Sequence, residues 1–102
     1  MYKLLITELA QNDLDEIVGY IVNQLANPIA AGTFLDEVEK CYENLRSNPY
    51  IYAKSNDARL EKEGYRRALI KNYLLMFKVN EETKTVTAYR FFYGAMDYFK
   101  LL

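Results

Sequence analysis

Two Asn-Pro pairs, Asn27-Pro28 and Asn48-Pro49, do most to limit the folds open to this chain. Proline lacks a backbone N–H and suits only the first turn of a helix, whereas asparagine is a common residue at the N-cap. Apolar residues recur at helical spacing before and after Asn27-Pro28, which predicts two amphipathic helices joined by a short link. We expect them to form an antiparallel hairpin that ends before Asn48-Pro49. The apolar stripes comprise Leu14, Ile17, Val18, Ile21 and Leu25, then Ala31, Phe34, Leu35, Val38, Cys41, Tyr42 and Leu45.

The segments on either side of the hairpin have the periodicity and turn residues of β-structure. Residues 2–6 predict a short first strand, after which Thr7 is the expected N-cap of the first helix. Residues 49–64 show no clean period, and we interpret them as a loop that could hold one helical turn. Three further strands are predicted, over residues 65–70, 73–79 and 85–92.

This order of elements predicts an α+β fold in a single domain over residues 1–102. An N-terminal strand comes first, the antiparallel helical hairpin follows, and a three-stranded antiparallel meander comes last. Lys71-Asn72 is expected to form the tight turn between the first two strands of the meander. The strands should form one sheet, with the helices on one of its faces.

A two-residue turn at Lys71-Asn72 sets Ile70 opposite Tyr73, and paired residues share a face of the sheet. One face is then almost wholly apolar and should pack on the helices, with Arg66 at its edge. It comprises Ala68, Ile70, Tyr73, Leu75, Phe77 and Val79. The other face mixes basic with large apolar groups, and comprises Tyr65, Arg67, Leu69, Leu74, Met76 and Lys78. We predict that a partner covers this second face, since so many apolar groups would otherwise be exposed.

Charge is divided unevenly between the two halves of the chain. Residues 1–49 hold three basic and eight acidic side chains, a net charge of −5, whereas residues 50–102 hold ten basic and six acidic, a net charge of +4. Such a dipolar chain could offer its basic half to an acidic partner, either nucleic acid or protein. The total charge of −1 is unlike that of a strong nucleic-acid binder.

Cysteine content and hydropathy indicate where the protein works. Cys41 is the only cysteine, so no internal disulfide can form, which fits a reducing compartment. The N-terminus turns polar too early for a signal peptide, and no apolar run approaches the ~20 residues that span a bilayer. We therefore expect a cytoplasmic protein with no membrane partner.

The residue types present exclude several kinds of active site. With no histidine, one cysteine and scattered glycines, we expect no metal, no cofactor, no phosphate loop and no histidine-dependent triad. Three arginines, Arg66, Arg67 and Arg90, could instead clamp a phosphate, and Tyr93 or Tyr98 could relay a proton. The arginines could equally form salt bridges or contact a partner, and the tyrosines could pack at the edge of the core. The composition leaves enzymatic activity open and favours its absence.

Three stretches together resemble one known family. The helical hairpin of the RelE/ParE superfamily of bacterial toxins is similar to residues 13–49, DLDEIVGYIVNQLANPIAAGTFLDEVEKCYENLRSNP. Its sheet is similar to residues 65–79 and 86–98, YRRALIKNYLLMFKV and VTAYRFFYGAMDY. The resemblance implies the toxin of a type II toxin–antitoxin, or plasmid stabilisation, system that inhibits growth. It also implies a cognate antitoxin, whose extended or helical segment would wrap the toxin and neutralise it.

The RelE-like branch of the superfamily cuts mRNA on the ribosome. Its members usually carry an arginine directly after the tyrosine that begins the middle strand of the meander, where this chain has Leu74 after Tyr73. Many also use a histidine near the end of the last strand, where this chain has Tyr93. Both differences weaken the likeness to the nucleases.

The ParE-like branch inhibits DNA gyrase, and the resemblance is closer to this branch. Its pattern reads Arg, two apolar residues, His, Gly, any residue, Arg, Asp. Arg90, Gly94 and Asp97 match the pattern, whereas Tyr93 and Met96 depart from it.

Three functions follow from the resemblance and stay open. The first is a ParE-like toxin that binds a target such as gyrase without chemistry. The second is a ribosome-dependent mRNA endoribonuclease, and the third is a degenerate toxin that binds only its antitoxin. A nuclease would use Arg66, Arg67, Arg90 and Tyr93. Partner contacts, in a homodimer or a toxin–antitoxin hetero-oligomer, are predicted at Tyr65, Arg67, Leu69, Leu74, Met76, Lys78, Arg90, Asp97 and Tyr98.

Overall fold

The computed structural model describes residues 1–94 and has the predicted order of helices and strands. The α+β class is confirmed, while Met96, Asp97 and Tyr98 lie outside the described residues. The elements are β1 Lys3–Ile6, α1 Glu8–Asn23, α2 Pro28–Ser47, a 3-10 turn Pro49–Ile51, α3 Ala58–Lys62, β2 Arg66–Ile70, β3 Tyr73–Asn80 and β4 Thr85–Tyr93.

The helical hairpin begins and ends where its capping residues predict. The Thr7 hydroxyl accepts a hydrogen bond from the Ala10 N–H at 3.0 Å and caps α1. The Asn27 side chain does the same for the Ala30 N–H at 3.0 Å, with Pro28 at the first position of α2. None of the helices within residues 1–94 is long and apolar enough to cross a membrane.

All four strands belong to one sheet, in the order β1-β4-β3-β2. The predicted meander is confirmed, since β2 pairs antiparallel with β3, and β3 antiparallel with β4. β1 pairs in parallel with β4, so the sheet as a whole is mixed. The predicted register of the first hairpin is also confirmed, with Ile70 opposite Tyr73 and Ala68 opposite Leu75.

The larger core lies between the helices and the sheet face that was predicted to be apolar. Leu75 and Phe77 from β3 are fully buried there, together with Phe34 and Leu45 from α2. This core cluster is completed by Ala10, Leu14, Ile21, Ala31, Val38, Cys41, Tyr42, Ala68, Ile70, Val86, Ala88 and Phe91. Most residues of the helix stripes read from the sequence therefore pack in this core, whereas Leu25 and Leu35 were placed wrongly and are 55% and 39% exposed.

The opposite face of the sheet, which we call the outer face, has a cover of its own. Residues 49–64, interpreted as a loop that could hold one helical turn, contain the 3-10 turn and the short helix α3, and Leu60 of α3 is fully buried. The Asp57 carboxylate caps α3 by accepting from the Leu60 N–H at 3.0 Å. Leu60 packs against a second apolar cluster on the outer face, which comprises Leu74, Met76 and Phe92 with Tyr65 beside it.

This cover corrects the predicted exposure of the outer face. Leu74 and Met76 do point away from the helical hairpin, as the register requires, but they are 6% and 0% exposed. The chain itself supplies the apolar cover that was expected from a partner. The prediction failed because one buried leucine in an aperiodic stretch gives no signal of the face it covers.

Candidate functional site

A groove bordered by three tyrosines is open on the helix side of the molecule. Tyr20 projects from α1, Tyr73 begins β3 and Tyr93 ends β4, and we call the hollow they share the tyrosine groove. It encloses about 510 Å³. Its other lining residues come mainly from the hairpin, and are Ile21, Leu25, Ala30, Thr33, Phe34, Lys71 and Asn72. Apolar and aromatic side chains therefore dominate an open concave surface, which is typical of binding sites.

Packing fixes the aromatic rings of the groove. The Tyr73 ring meets that of Phe34 edge to face, with centroids 5.4 Å apart, and meets Tyr93 in the same way at 5.8 Å. Burial raises the pKa of the Tyr73 phenol, and nearby Tyr20 adds to the effect. The phenol is neutral near pH 7, so it suits hydrogen bonding and packing better than proton abstraction.

Gly94 directly follows Tyr93 and contacts Asn72, two residues that line the tyrosine groove. Its N–H donates to the Asn72 carbonyl at 2.8 Å, which joins the end of β4 to the β2–β3 turn. A Cβ at this position would lie 3.1 Å from the same oxygen, closer than most side chains tolerate. The glycine shared with the ParE-like pattern thus has a steric reason to be a glycine here.

An ion pair between Arg90 and Asp13 lies beside the tyrosine groove. The Arg90 guanidinium donates through Nε to Asp13 Oδ2 at 2.7 Å and through Nη2 to Oδ1 at 3.0 Å. These side chains are only 24% and 15% exposed. Together with Tyr20 and Tyr73 they line a second hollow of about 300 Å³. The hydrogen bond to Asp13 raises the pKa of Arg90 still further, so the guanidinium stays charged.

Asp13 is held here because β1 is shorter than β4. β1 pairs with β4 only as far as Ala88, so the rest of that edge of β4 faces α1. The Thr7 hydroxyl donates to the carbonyl oxygen of Tyr89 at 2.7 Å, and Asp13 Oδ2 accepts from the Phe91 N–H at 3.0 Å. Side chains from the start of α1 therefore replace the missing strand.

The three arginines proposed for phosphate binding do not converge. Arg66 points to the helix side, where Nη1 donates to the Tyr52 carbonyl at 2.9 Å and the guanidinium carbon lies 4.8 Å from the Tyr50 ring centroid. Arg67 follows it in the strand and points to the outer face. Arg90 is held by Asp13, so each of the three guanidinium groups has different surroundings.

The remaining predicted contact residues are distributed over the outer face. Leu69 is 67% exposed on the edge strand β2, whereas Leu74 and Met76 lie under α3. The ammonium group of Lys78 lies over the rings of Tyr65 and Tyr89. Tyr93, proposed as a proton relay, is 51% exposed at the rim of the tyrosine groove.

Within residues 1–94, the structure contains no group of three or more side chains that could hold a metal ion. Cys41 is buried in the core, where desolvation raises the pKa of its thiol to about 11. It therefore stays a protonated thiol near pH 7 and is a poor nucleophile.

Sequence reasoning missed both the tyrosine groove and the partner of Arg90. Tyr20 lies beside the apolar stripe of α1, and nothing in its spacing indicates that β3 and β4 bring two more tyrosines to it. Asp13 is one of eight acidic residues in the first half of the chain, and its partner is 77 positions away. Contacts at such separations require the three-dimensional arrangement.

The sequence matches a known protein family over almost its whole length. The model of a family described as the ParE toxin of the type II toxin–antitoxin system parDE matches residues 4–98. No curated protein matches the sequence significantly.

Several solved structures share the fold. The chromosomal ParDE toxin–antitoxin system from P. aeruginosa contains a chain with a TM-score of 0.68 and 22% identity, covering 89% of this chain and 94% of that one. The toxin–antitoxin complex RelBE2 from Mycobacterium tuberculosis contains a chain with a TM-score of 0.62 and 19% identity, covering 90% of this chain and 96% of that one. YafQ from E. coli strain BL21(DE3) has a TM-score of 0.58 and 14% identity, covering 93% of this chain and 96% of that one.

Proposed function

Since this chain belongs to the ParE toxin family of type II toxin–antitoxin systems, within the RelE/ParE superfamily, we propose that it inhibits growth by binding an essential target in the cytoplasm. DNA gyrase is the proposed target, because the sequence matches the ParE-like pattern at Arg90, Gly94 and Asp97. A cognate antitoxin would neutralise the toxin, and such a pair would stabilise a plasmid that carries it.

The dispersal of the arginines is the observation that supports binding without chemistry. A phosphate in a transition state needs several charged donors aimed at one point. Arg66 and Arg67 face opposite sides of the sheet, and two of the N–H donors of Arg90 are hydrogen-bonded to Asp13. Leu74, where RelE-like nucleases usually carry arginine, is buried against Leu60.

The tyrosine groove is the surface we assign to the antitoxin. Tyr93, Tyr20 and Leu25 are 51%, 49% and 55% exposed around it, so a partner would remove a large apolar area from water. The Tyr93 ring is already held against Tyr73, which keeps the entropic cost of ordering it on binding small. The apolar side of an antitoxin helix or extended segment has the chemistry to fill this groove.

Two assays with the purified protein separate the proposed target from the alternative. We expect it to block supercoiling of relaxed plasmid by DNA gyrase. In a translation reaction, primer extension should show no new ends in the mRNA. Ribosome-dependent cleavage that is lost in Arg90→Ala would contradict this function and establish the nuclease. Expression without growth arrest would instead indicate a degenerate toxin that retains only antitoxin binding.

The antitoxin site is tested with a matched pair of variants. Tyr93→Ala removes an exposed aromatic group from the groove, and we expect it to weaken binding of the protein encoded beside the toxin gene by ~10-fold or more. Leu69→Ala is the control, because Leu69 is 67% exposed but lies on the outer face. Equal losses for both variants, or a loss only for Leu69→Ala, would place the antitoxin elsewhere.

A further inference from the structure

The outer face carries a second group of side chains that the tyrosine groove does not involve. Lys78 lies at its centre, with Nζ 4.4 Å from the ring centroid of Tyr65 and 5.7 Å from that of Tyr89. The two rings meet edge to face with centroids 5.5 Å apart. Arg67 lies on the same face of the neighbouring strand. We call these four residues the lysine–tyrosine patch.

The positive charges of this patch are not neutralised within residues 1–94. Four other cations there form ion pairs, namely Lys40, Arg59, Lys84 and Arg90. Neither Arg67 nor Lys78 forms one, and the buried Nε of Arg67 has no hydrogen-bond partner among these residues. Both side chains are only partly buried, so an acceptor can approach them from solution.

Four acidic side chains adjoin the patch, and none of them forms an ion pair with Arg67 or Lys78. Glu63 is close enough to the Tyr65 phenol to interact with it electrostatically, but it forms its ion pair with Arg59. Glu82 lines the hollow beside Lys78 and forms no ion pair there. Arg67 and Lys78 are thus two cations bordered by Glu61, Glu63, Glu81 and Glu82, and this border would limit the size of the ligand.

The spacing of the two cations indicates the shape of that ligand. Arg67 is opposite Met76 in the sheet, so Lys78 is its diagonal neighbour on the same face, at a separation of ~7–8 Å between the backbones. In an extended peptide, side chains at alternate positions are ~7 Å apart and point the same way. We infer that the lysine–tyrosine patch binds an extended acidic segment of a protein partner, with carboxylates at alternate positions on Arg67 and Lys78.

Two features favour a peptide over nucleic acid at this patch. Lys78 already lies over the tyrosine rings, which occupies the aromatic surface that nucleobases would stack on. The chain has a net charge of −1, and residues 1–49 carry −5, so a long polyanion would be repelled beyond the patch. This inference goes beyond the proposed function, because it concerns another surface and does not depend on gyrase as the target.

The test uses fluorescence anisotropy with a labelled peptide that has glutamate at every second position. We expect the folded protein to bind it at low salt, and Lys78→Gln to weaken binding by ~10-fold, as loss of a charge-assisted contact predicts. Lys78→Arg should retain binding. Lys40→Gln is the control, since it makes the same change of charge at an exposed position of α2. This variant should bind the peptide as tightly as the wild-type protein does. Far-UV circular dichroism of each variant establishes that it is folded.

Three outcomes would overturn the inference. The first is no binding of the glutamate peptide by the wild-type protein. The second is an equal effect of Lys78→Gln and Lys40→Gln, which would reflect net charge alone. The third is tighter binding of a labelled oligothymidylate than of the peptide, which would assign the patch to nucleic acid. None of these results bears on the supercoiling assay, so the two proposals fail separately.

Discussion

Both faces of the sheet carry fully buried apolar residues, but the covers that bury them are very different. Phe77 on the helix face and Met76 on the outer face are both fully buried. The first is covered by helices of 16 and 20 residues, and the second by the five-residue helix α3 with one buried leucine. Burial alone therefore does not show how firmly a residue is held, since a thin cover can open locally while the rest stays folded.

The polar contacts of the helical hairpin reach a distant strand, whereas those of α3 are made with residues close to it in sequence. The helical hairpin is joined to β4 by the Arg90–Asp13 ion pair and by the Thr7 hydroxyl. α3 is closed by its own cap at Asp57 and by an N–H from Tyr65 to the Leu60 carbonyl at 2.9 Å. We interpret the helix side as the rigid frame of the molecule, and the outer face as its less stable side.

The largest expected effect tests the rigid side. Phe77→Ala leaves a cavity beneath α2, and because the helices are held at several points the site cannot collapse to fill it. We expect the free energy of unfolding to fall by ~3–5 kcal/mol, measured by urea denaturation. An unchanged denaturation midpoint would show that Phe77 does not lie in the core.

Leu60→Ala makes the corresponding change on the outer face. Because α3 can shift onto the sheet or detach, we expect a smaller loss of about 2 kcal/mol, at the lower end of the range for buried leucines. Hydrogen exchange should show that amides of α3 lose protection while those of α2 keep it. A loss as large as that of Phe77→Ala would remove the distinction between the two covers.

The helix face was predictable because its signals are local and repeated. Capping residues at Thr7 and Asn27 set the helix starts, and the turn at Lys71-Asn72 set the register of β2 and β3. Once the register of β2 and β3 is known, the face on which each of their side chains lies is also known, since strand side chains alternate with period two. The outer cover depends on Leu60 alone, within a stretch that has no period.

The parallel pairing of β1 with β4 and the tyrosine groove were not predictable in the same way. β1 and β4 are more than 80 positions apart, as in the pair Lys3 and Thr85. Both features depend on where the ends of distant elements meet, and propensity or periodicity carries no information on that. Arg90 was proposed as a phosphate or partner contact, and its ion pair with Asp13 could be found only from the fold.

Asp13→Ala sharpens the comparison by removing a polar contact of the rigid side. The variant leaves the Arg90 guanidinium and the Phe91 N–H without their acceptor. We expect unfolding to become easier by about 1–2 kcal/mol in thermal or urea denaturation, since the pair is partly exposed and water can replace some bonds.

Asp15→Ala is the matched control, because Asp15 is exposed on the same helix and accepts only from the Gln11 side chain among described contacts. It should change stability little. If both variants behaved alike, the hairpin would be held by its apolar stripe alone and the polar contacts would be incidental.

The smallest expected effect concerns a polar cluster at the far end of the sheet. The Glu81 carboxylate accepts hydrogen bonds from the hydroxyls of Tyr2 and Tyr50 and from the Lys84 ammonium group. These bonds, that from Lys84 first, lower the pKa of Glu81 to about 2. The cluster thus joins the residue before β1, the 3-10 turn and the β3–β4 loop.

Because the pKa of Glu81 is lower in the folded protein than its ordinary value near 4.5, its contribution to stability is complete above that value. It is lost as the pH falls from there to about 2. Glu81→Gln should therefore lower the thermal midpoint slightly at pH 6, and the difference from the wild type should vanish at the acid end of this window. Because the cluster is exposed, the effect should also shrink in high salt. A difference that persists unchanged through the acid range would mean that the carboxylate charge does not matter, and that this end of the sheet is held by packing, as the outer face is.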